Sequence, residues 1–227
     1  MRFEDLNWMD VEEYLRHEDR LMLVLGATEQ HAYLSLLSDV KIPLALADAA
    51  SQQTGVLVAP PLNFGCSPYF LKYPGTLSLR VSTLIAAVED LLRSAYEQGF
   101  RRLLLLNGHG GNNPARSQCH EVINDMPGLR IGWYDWWLSN SVLAVAGKHQ
   151  LTPSHANWLE AFPFTITGEL PKDDKIPPRV SGIMDAAEAC QVFGDGSFGG
   201  RYKVEESIMQ EVFAAALMDV LQLLKFE

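Results

Sequence analysis

Apolar and aromatic residues crowd into four short stretches: Leu21–Ala27, Gly55–Leu62, Arg101–Gly108 and Leu129–Trp137. The first three run without polar alternation, as expected of strands covered on both faces. Between them lie segments with helical spacing, Val40–Gln53 and Ser82–Gln98. The second stops at Gly99, a residue suited to a helix C-cap. A last helix is predicted from Glu205 to Leu224, and a shorter one from near Pro114. Strand and helix in alternation predict a parallel sheet with right-handed crossovers. The expected fold class is α/β, a three-layer sandwich in which helices flank a mostly parallel sheet. Pro171–Pro178 and Gly194–Gly200 read as exposed loops. No repeat or composition shift divides the chain, so residues 1–227 are read as a single domain.

Bulk properties narrow the function. A chain of 227 residues suits one full α/β core. Its formal net charge of −10 disfavours nucleic acid and anionic membranes as partners. No apolar run approaches the length of a membrane span. The first residues are acidic where a secretion signal needs basic and then apolar ones, so a cytoplasmic location is expected. Cys66, Cys119 and Cys190 are odd in number and lack CxxC spacing, which argues against a disulfide framework or a thiolate zinc site.

Parallel sheets place ligands beyond the carboxyl ends of their strands. After the first strand come Glu29, His31 and Asp39, an oxygen and nitrogen ligand set suited to zinc, manganese or iron. The bland alternative makes Glu29 and Asp39 helix caps and His31 a loop residue. After the third strand comes Asn107-Gly108-His109-Gly110-Gly111-Asn112. Its glycines let backbone approach a ligand, and Gly110 and Gly111 could present N–H donors to an oxyanion. No phosphate-loop or nucleophile-elbow pattern is present. His155 and Glu160 follow, on a helix if one begins near Ser154. Glu160 lies among apolar neighbours, where a buried carboxylate needs a partner. Trp136 and Trp137 either wall a substrate site or belong to the core.

Taken in order, these residues resemble the creatininase (creatinine amidohydrolase) family, which also includes formamide-type deformylases. Glu29-Gln30-His31 with Asp39 is similar to the family's opening motif. Phe64–Ser67 and Pro74-Gly75-Thr76 follow in family order, then Gly99-Phe100 and the Asn107–Asn112 loop. His155-Ala156 through Glu160, and Gln191–Asp195, are similar to later stretches. The chain departs from the pattern in its shorter Glu29-to-Asp39 spacing, in Trp158 where glutamate is usual, in Ala161-Phe162, and in Pro68-Tyr69.

The resemblance implies two divalent ions, zinc, manganese or iron. Asp39 would bridge them, Glu29 and His109 would hold one, and His31 and Glu160 the other. His155 or Glu160 would return a proton to a leaving nitrogen, and Ser67, Gly110, Gly111 and Trp136 would face a small cyclic amide or formamide. It also implies a homo-oligomer such as a hexamer. The rival expectation is a non-catalytic relative that binds metal or a small ligand, motivated by the altered residues around the ligand set.

Overall fold

A computed structural model describes all 227 residues. Four parallel strands form one sheet in the order β2-β1-β3-β4, with β1 at Arg20–Leu25, β2 at Leu57–Val58, β3 at Arg102–Asn107 and β4 at Arg130–Asp135. The central pair, β1 and β3, is in register from Arg20 opposite Arg102 to Leu25 opposite Asn107. Both strands are buried along nearly their whole length, which is why their sequences do not alternate.

Each face of the sheet has its own core. On one, Met22, Val24, Leu104 and Leu106 pack against α2 (Ser38–Thr54), α5 (Asn140–Lys148) and α7 (Glu206–Leu223). On the other, Leu21, Leu23, Leu103 and Leu105 meet α1 (Trp8–Leu15), α3 (Val81–Gln98) and α4 (Asn113–Asp125). The result is the expected three-layer α/β sandwich. No helix is long and apolar enough to cross a membrane.

The second predicted strand shrinks to two residues. Pro60 and Pro61 cannot donate to a ladder, so pairing lapses after Val58 and returns only as a bridge between Leu25 and Leu62. Residues 155–160 are not a helix from Ser154. A turn leads into a 3-10 segment at Trp158–Glu160, capped by the Asn157 side chain accepting from Leu159 N–H. The loop 194–200 is not exposed throughout: Ser197 is fully buried, and Gly196 and Gly199 are buried beside it. Three helices escaped the hydrophobic pattern, namely α1, α5 and α6 (Ala186–Phe193).

The start of α2 decides where the chemistry sits. Gly108, just past β3, lies so close that a Cβ there would come within 1.8 Å of the Asp39 carbonyl oxygen. Pro43 has no N–H to offer that carbonyl four residues earlier, so the approach of Gly108 displaces no helical bond. The first turn of α2 is thereby wedged against the ends of β1 and β3. Asp39 does not cap this helix. It sits inside the first turn, and its carboxylate points elsewhere.

Candidate metal centre

Beyond the ends of β1 and β3, five side chains from four segments converge. His31 Nε2 lies 2.9 Å from one Asp39 oxygen, and His109 Nδ1 lies 3.0 Å from the other. Glu29 Oε1 is 3.5 Å from His109 Nδ1, and Glu160 Oε1 is 3.9 Å from His31 Nε2. Two ligand triads result, Glu29–Asp39–His109 and His31–Asp39–Glu160, each with its donor atoms within 4.8 Å of one another. Asp39 belongs to both.

The histidines are oriented from behind. His31 Nδ1 lies 3.1 Å from the Glu29 backbone carbonyl, and His109 Nε2 lies 3.0 Å from that of Cys66. A carbonyl only accepts, so each of these nitrogens carries the proton. The nitrogens facing the carboxylates, His31 Nε2 and His109 Nδ1, are therefore the ones able to offer a lone pair. Ser67, expected to face substrate, also lies behind His109, with its hydroxyl 3.2 Å from Nε2. Gly111 leaves room for this contact, since a Cβ there would fall 2.0 Å from the Cys66 carbonyl oxygen.

Several features fit a divalent cation among these groups. Glu29, His31 and Asp39 are almost wholly buried. Glu29 Oε2, His31 Nε2 and Asp39 Oδ2 have no hydrogen-bond partner, although the two imidazole–Asp39 contacts lie at ion-pair distance. Buried polar atoms without partners are costly, and a bound cation removes that cost. The mix of carboxylate and imidazole suits zinc, manganese or iron.

The electrostatics are those of a crowded site. Burial pushes the Glu29 carboxyl up, although His109 opposes it. Burial also lifts Glu160 to about 7, with His31 pulling the other way and the Asp39 charge adding to the rise. Burial alone would raise Asp39, but His31 and His109 hold it well below the usual carboxylate range. Burial would lower both imidazoles, yet Asp39 draws His31 well above its usual value and Glu29 with Asp39 draws His109 up to about 9. His155 goes the other way: burial, reinforced by His31, holds it well below 6.5.

Glu29, Asp39, His109 and Glu160 line a cavity of about 540 Å³, with His31 buried behind them, a volume within the range of small-molecule sites. Gly110, Gly111, Ser67, His155 and Glu160 reach this cavity, and its walls include Tyr69, Phe70, Trp137, Leu138, Leu143 and Phe198. Trp136 does not. It is 1% exposed and packs against Phe162 in the core, because successive residues of the Trp136–Leu138 turn point to different sides. The aromatic wall is Trp137. Glu160 is reached through its own loop: the Ala156 N–H donates to Oε2 at 2.6 Å, leaving Oε1 toward His31.

Sequence reasoning missed Gln30, Phe70 and Phe198, which surround His155. It also missed the left-handed backbone at Ala32 and Ala156, with φ of 50° and 52°. That conformation is costly for alanine. At each position the N–H is turned onto a site side chain, Gln30 or Glu160. No residue-type signal marks these two, since glycine is the usual sign of such a turn.

Fold and site together define an α/β protein with a buried carboxylate–imidazole cluster at the carboxyl edge of a parallel sheet. The family model for creatinine amidohydrolase matches residues 4–224, so the chain belongs to the creatininase family. A creatinine amidohydrolase of Pseudomonas putida is 35% identical over 116 residues, 48% of this chain and 45% of that protein. A mycofactocin precursor peptide peptidase of Mycolicibacterium smegmatis is 32% identical over 120 residues, 50% of this chain and 48% of that one. The matched stretch thus spans about half the length of each of these relatives. A solved mutant creatininase of zinc–zinc type superposes with a TM-score of 0.83 at 19% identity, over 99% of this chain and 96% of that one. At that identity the likeness is one of fold.

Proposed function

We propose that this chain is a metal-dependent amidohydrolase that cleaves a C–N bond of a small cyclic amide or formamide. The observation that carries the reading is Asp39, whose two oxygens each face a different histidine within two triads that share it. Glu29, Asp39 and His109 would hold one divalent ion, and His31, Asp39 and Glu160 a second. Such ions supply Lewis acidity, polarising an amide carbonyl and acidifying water.

The chain's own groups do the rest. Gly110 and Gly111 bring backbone to the cavity, where N–H groups can face a developing oxyanion. Glu160, one oxygen of which faces His31 at the cavity, stands where it can take a proton from water and hand it to the departing nitrogen. His155 stands on the same wall. Tyr69, Phe70, Trp137 and Phe198 shelter the reaction from bulk water and offer ring faces to a planar substrate. The relatives' names, a creatinine amidohydrolase and a peptide peptidase, both describe hydrolysis at C–N bonds. Family resemblance favours a homo-oligomer, with a hexamer as the proposed state.

The rival reading, a non-catalytic binder, is disfavoured because the substituted residues fall outside the ligand set, and Asp39 reaches both histidines despite its shorter spacing from Glu29. Trp158, for example, is a core residue whose indole N–H donates to the Thr152 carbonyl. The test is metal analysis of protein from metal-supplemented growth, beside His109→Ala, followed by hydrolysis assays on lactams, formamides and cyclic ureides. Bound metal lost in the variant, with turnover in the wild type, is expected. Metal-free wild type sinks the reading. A well-ordered metal with no turnover across the panel favours the binder.

A further inference from the structure

His155 has two ring nitrogens in different surroundings. Nδ1 faces the metal cluster, 3.8 Å from Glu29 Oε1. Nε2 faces away, 2.9 Å from the side-chain amide nitrogen of Gln30. Which nitrogen carries the proton decides what His155 can do, and that question reduces to which way the Gln30 amide points.

Two backbone groups answer it. The Gln30 Nε2 lies 3.0 Å from the Gly196 carbonyl, which can only accept. The Gln30 Oε1 lies 3.1 Å from the Ala32 N–H, which can only donate. Turning the amide over would set oxygen against oxygen and N–H against N–H. One amide hydrogen therefore goes to Gly196 and the other is aimed at His155 Nε2. A donor aimed at Nε2 needs a lone pair there, so the imidazole proton is left on Nδ1.

The arrangement has little freedom. Gln30 is 5% exposed. The loop above it passes so close that a Cβ on Gly196 would fall 1.7 Å from Gln30 Oε1. That loop is pinned in turn by Lys175, which is paired with Asp195 and donates to the Phe193 and Ser197 carbonyls. The His155 ring is stacked on Phe70 at 4.8 Å and held from another side by Phe198 at 4.9 Å.

We infer that Gln30 is a positioning residue that locks His155 as the Nδ1–H tautomer, making it a fixed hydrogen-bond donor to substrate rather than a proton shuttle. The alternative reading of Glu29, His31 and His155 as a further metal triad is closed by the same proton, because Nδ1 has no lone pair to give. Proton transfer then falls to Glu160. The donor role rests on the proposed hydrolase function, but the tautomer does not.

The test is nitrogen-15 NMR of histidine-labelled, zinc-loaded protein, with His155 assigned by the signal lost in His155→Phe. The wild type should show a protonated Nδ1 and a bare, hydrogen-bonded Nε2. Gln30→Glu, which accepts where glutamine donates, should move the proton to Nε2. Gln30→Met removes the donor and should give a mixture of tautomers, which keeps the test intact should the glutamate variant fail to fold. A wild-type proton on Nε2, or a pure Nδ1–H tautomer persisting in Gln30→Met, overturns the inference. Failure to hydrolyse any amide would sink the hydrolase reading and leave these spectra unchanged.

Discussion

Loading the metal-free protein with zinc at pH 7 should release about two protons per chain, because the ligands that face the ion must give up protons to bind it. His109, drawn up to about 9 by its carboxylate neighbours, is roughly 99% protonated at pH 7. His31, pulled well above its usual value by Asp39, carries a proton as well. Glu160, lifted by burial to about 7, contributes about half a proton more. These come to about two and a half, and any proton lost by an acidified water adds to them, so the two imidazole protons are a floor. Zinc affinity should accordingly rise by about two powers of ten per pH unit around neutrality. Titration calorimetry in two buffers of different ionisation enthalpy counts the protons, and a competition titration at several pH values gives the slope. His109→Ala should release about one fewer. Release of less than one proton, with an affinity nearly independent of pH, would refute the view that these imidazoles are held charged by carboxylates that a cation then takes over.

The same ion pairs make the metal-free fold sensitive to alkali. The folded-state value of His109 is raised above its ordinary one, so its stabilising contribution is complete below about pH 6.5 and lost as pH rises through 9. Between those limits the loss is about 3 kcal/mol, or roughly 6–12 °C in Tm for a chain of this size; His31 adds to it in the same direction. Thermal unfolding in chelator at pH 6 and pH 9.5 measures it, and equal midpoints would count against the pairing. The two neighbouring tryptophans should separate cleanly. Trp136→Ala should cost about 3–5 kcal/mol in urea denaturation, whereas Trp137→Ala should cost about 1 kcal/mol and act mainly on KM; the reverse order would mean the cavity wall is misassigned. Gly111→Ala should fold yet bind little metal, because its methyl would displace the Cys66 carbonyl that orients His109. Wild-type metal content in that variant would show the carbonyl to be dispensable.

Much of the fold was legible because it follows from burial. Leu21–Leu25 and Leu103–Leu106 are buried on both faces of the sheet, and an unbroken apolar run is the direct sign of that. The helices that escaped notice do less to bury a long stripe. α1 has only eight residues; Val11, Tyr14 and Leu15 face the core while Trp8 is 71% exposed, so its apolar face covers little more than one turn. The buried stretch at 194–200 was misread for a related reason. Glycine and aspartate usually mean solvent, but here Lys175 and Tyr202 satisfy Asp195 and draw the loop inward.

The residues proposed as ligands stand out in the sequence because the chemistry proposed for them lies in their side chains. Glu29, His31, Asp39, His109 and Glu160 announce their chemistry by type and by their place after strands. What sets the state of each histidine is different in kind. His31 and His109 are aimed by the carbonyls of Glu29 and Cys66, and His155 by a glutamine whose own orientation comes from the backbone of Ala32 and Gly196. Every residue has a carbonyl, so these acceptors leave no trace in residue identity. They exist only once Gly108 has brought α2 against β3 and the strained turns at Ala32 and Ala156 have turned their N–H groups inward. A relative could therefore keep all five ligands and still lose the protonation pattern through one altered turn, and conservation of the ligands alone is a weaker sign of activity than conservation of the backbone that aims them.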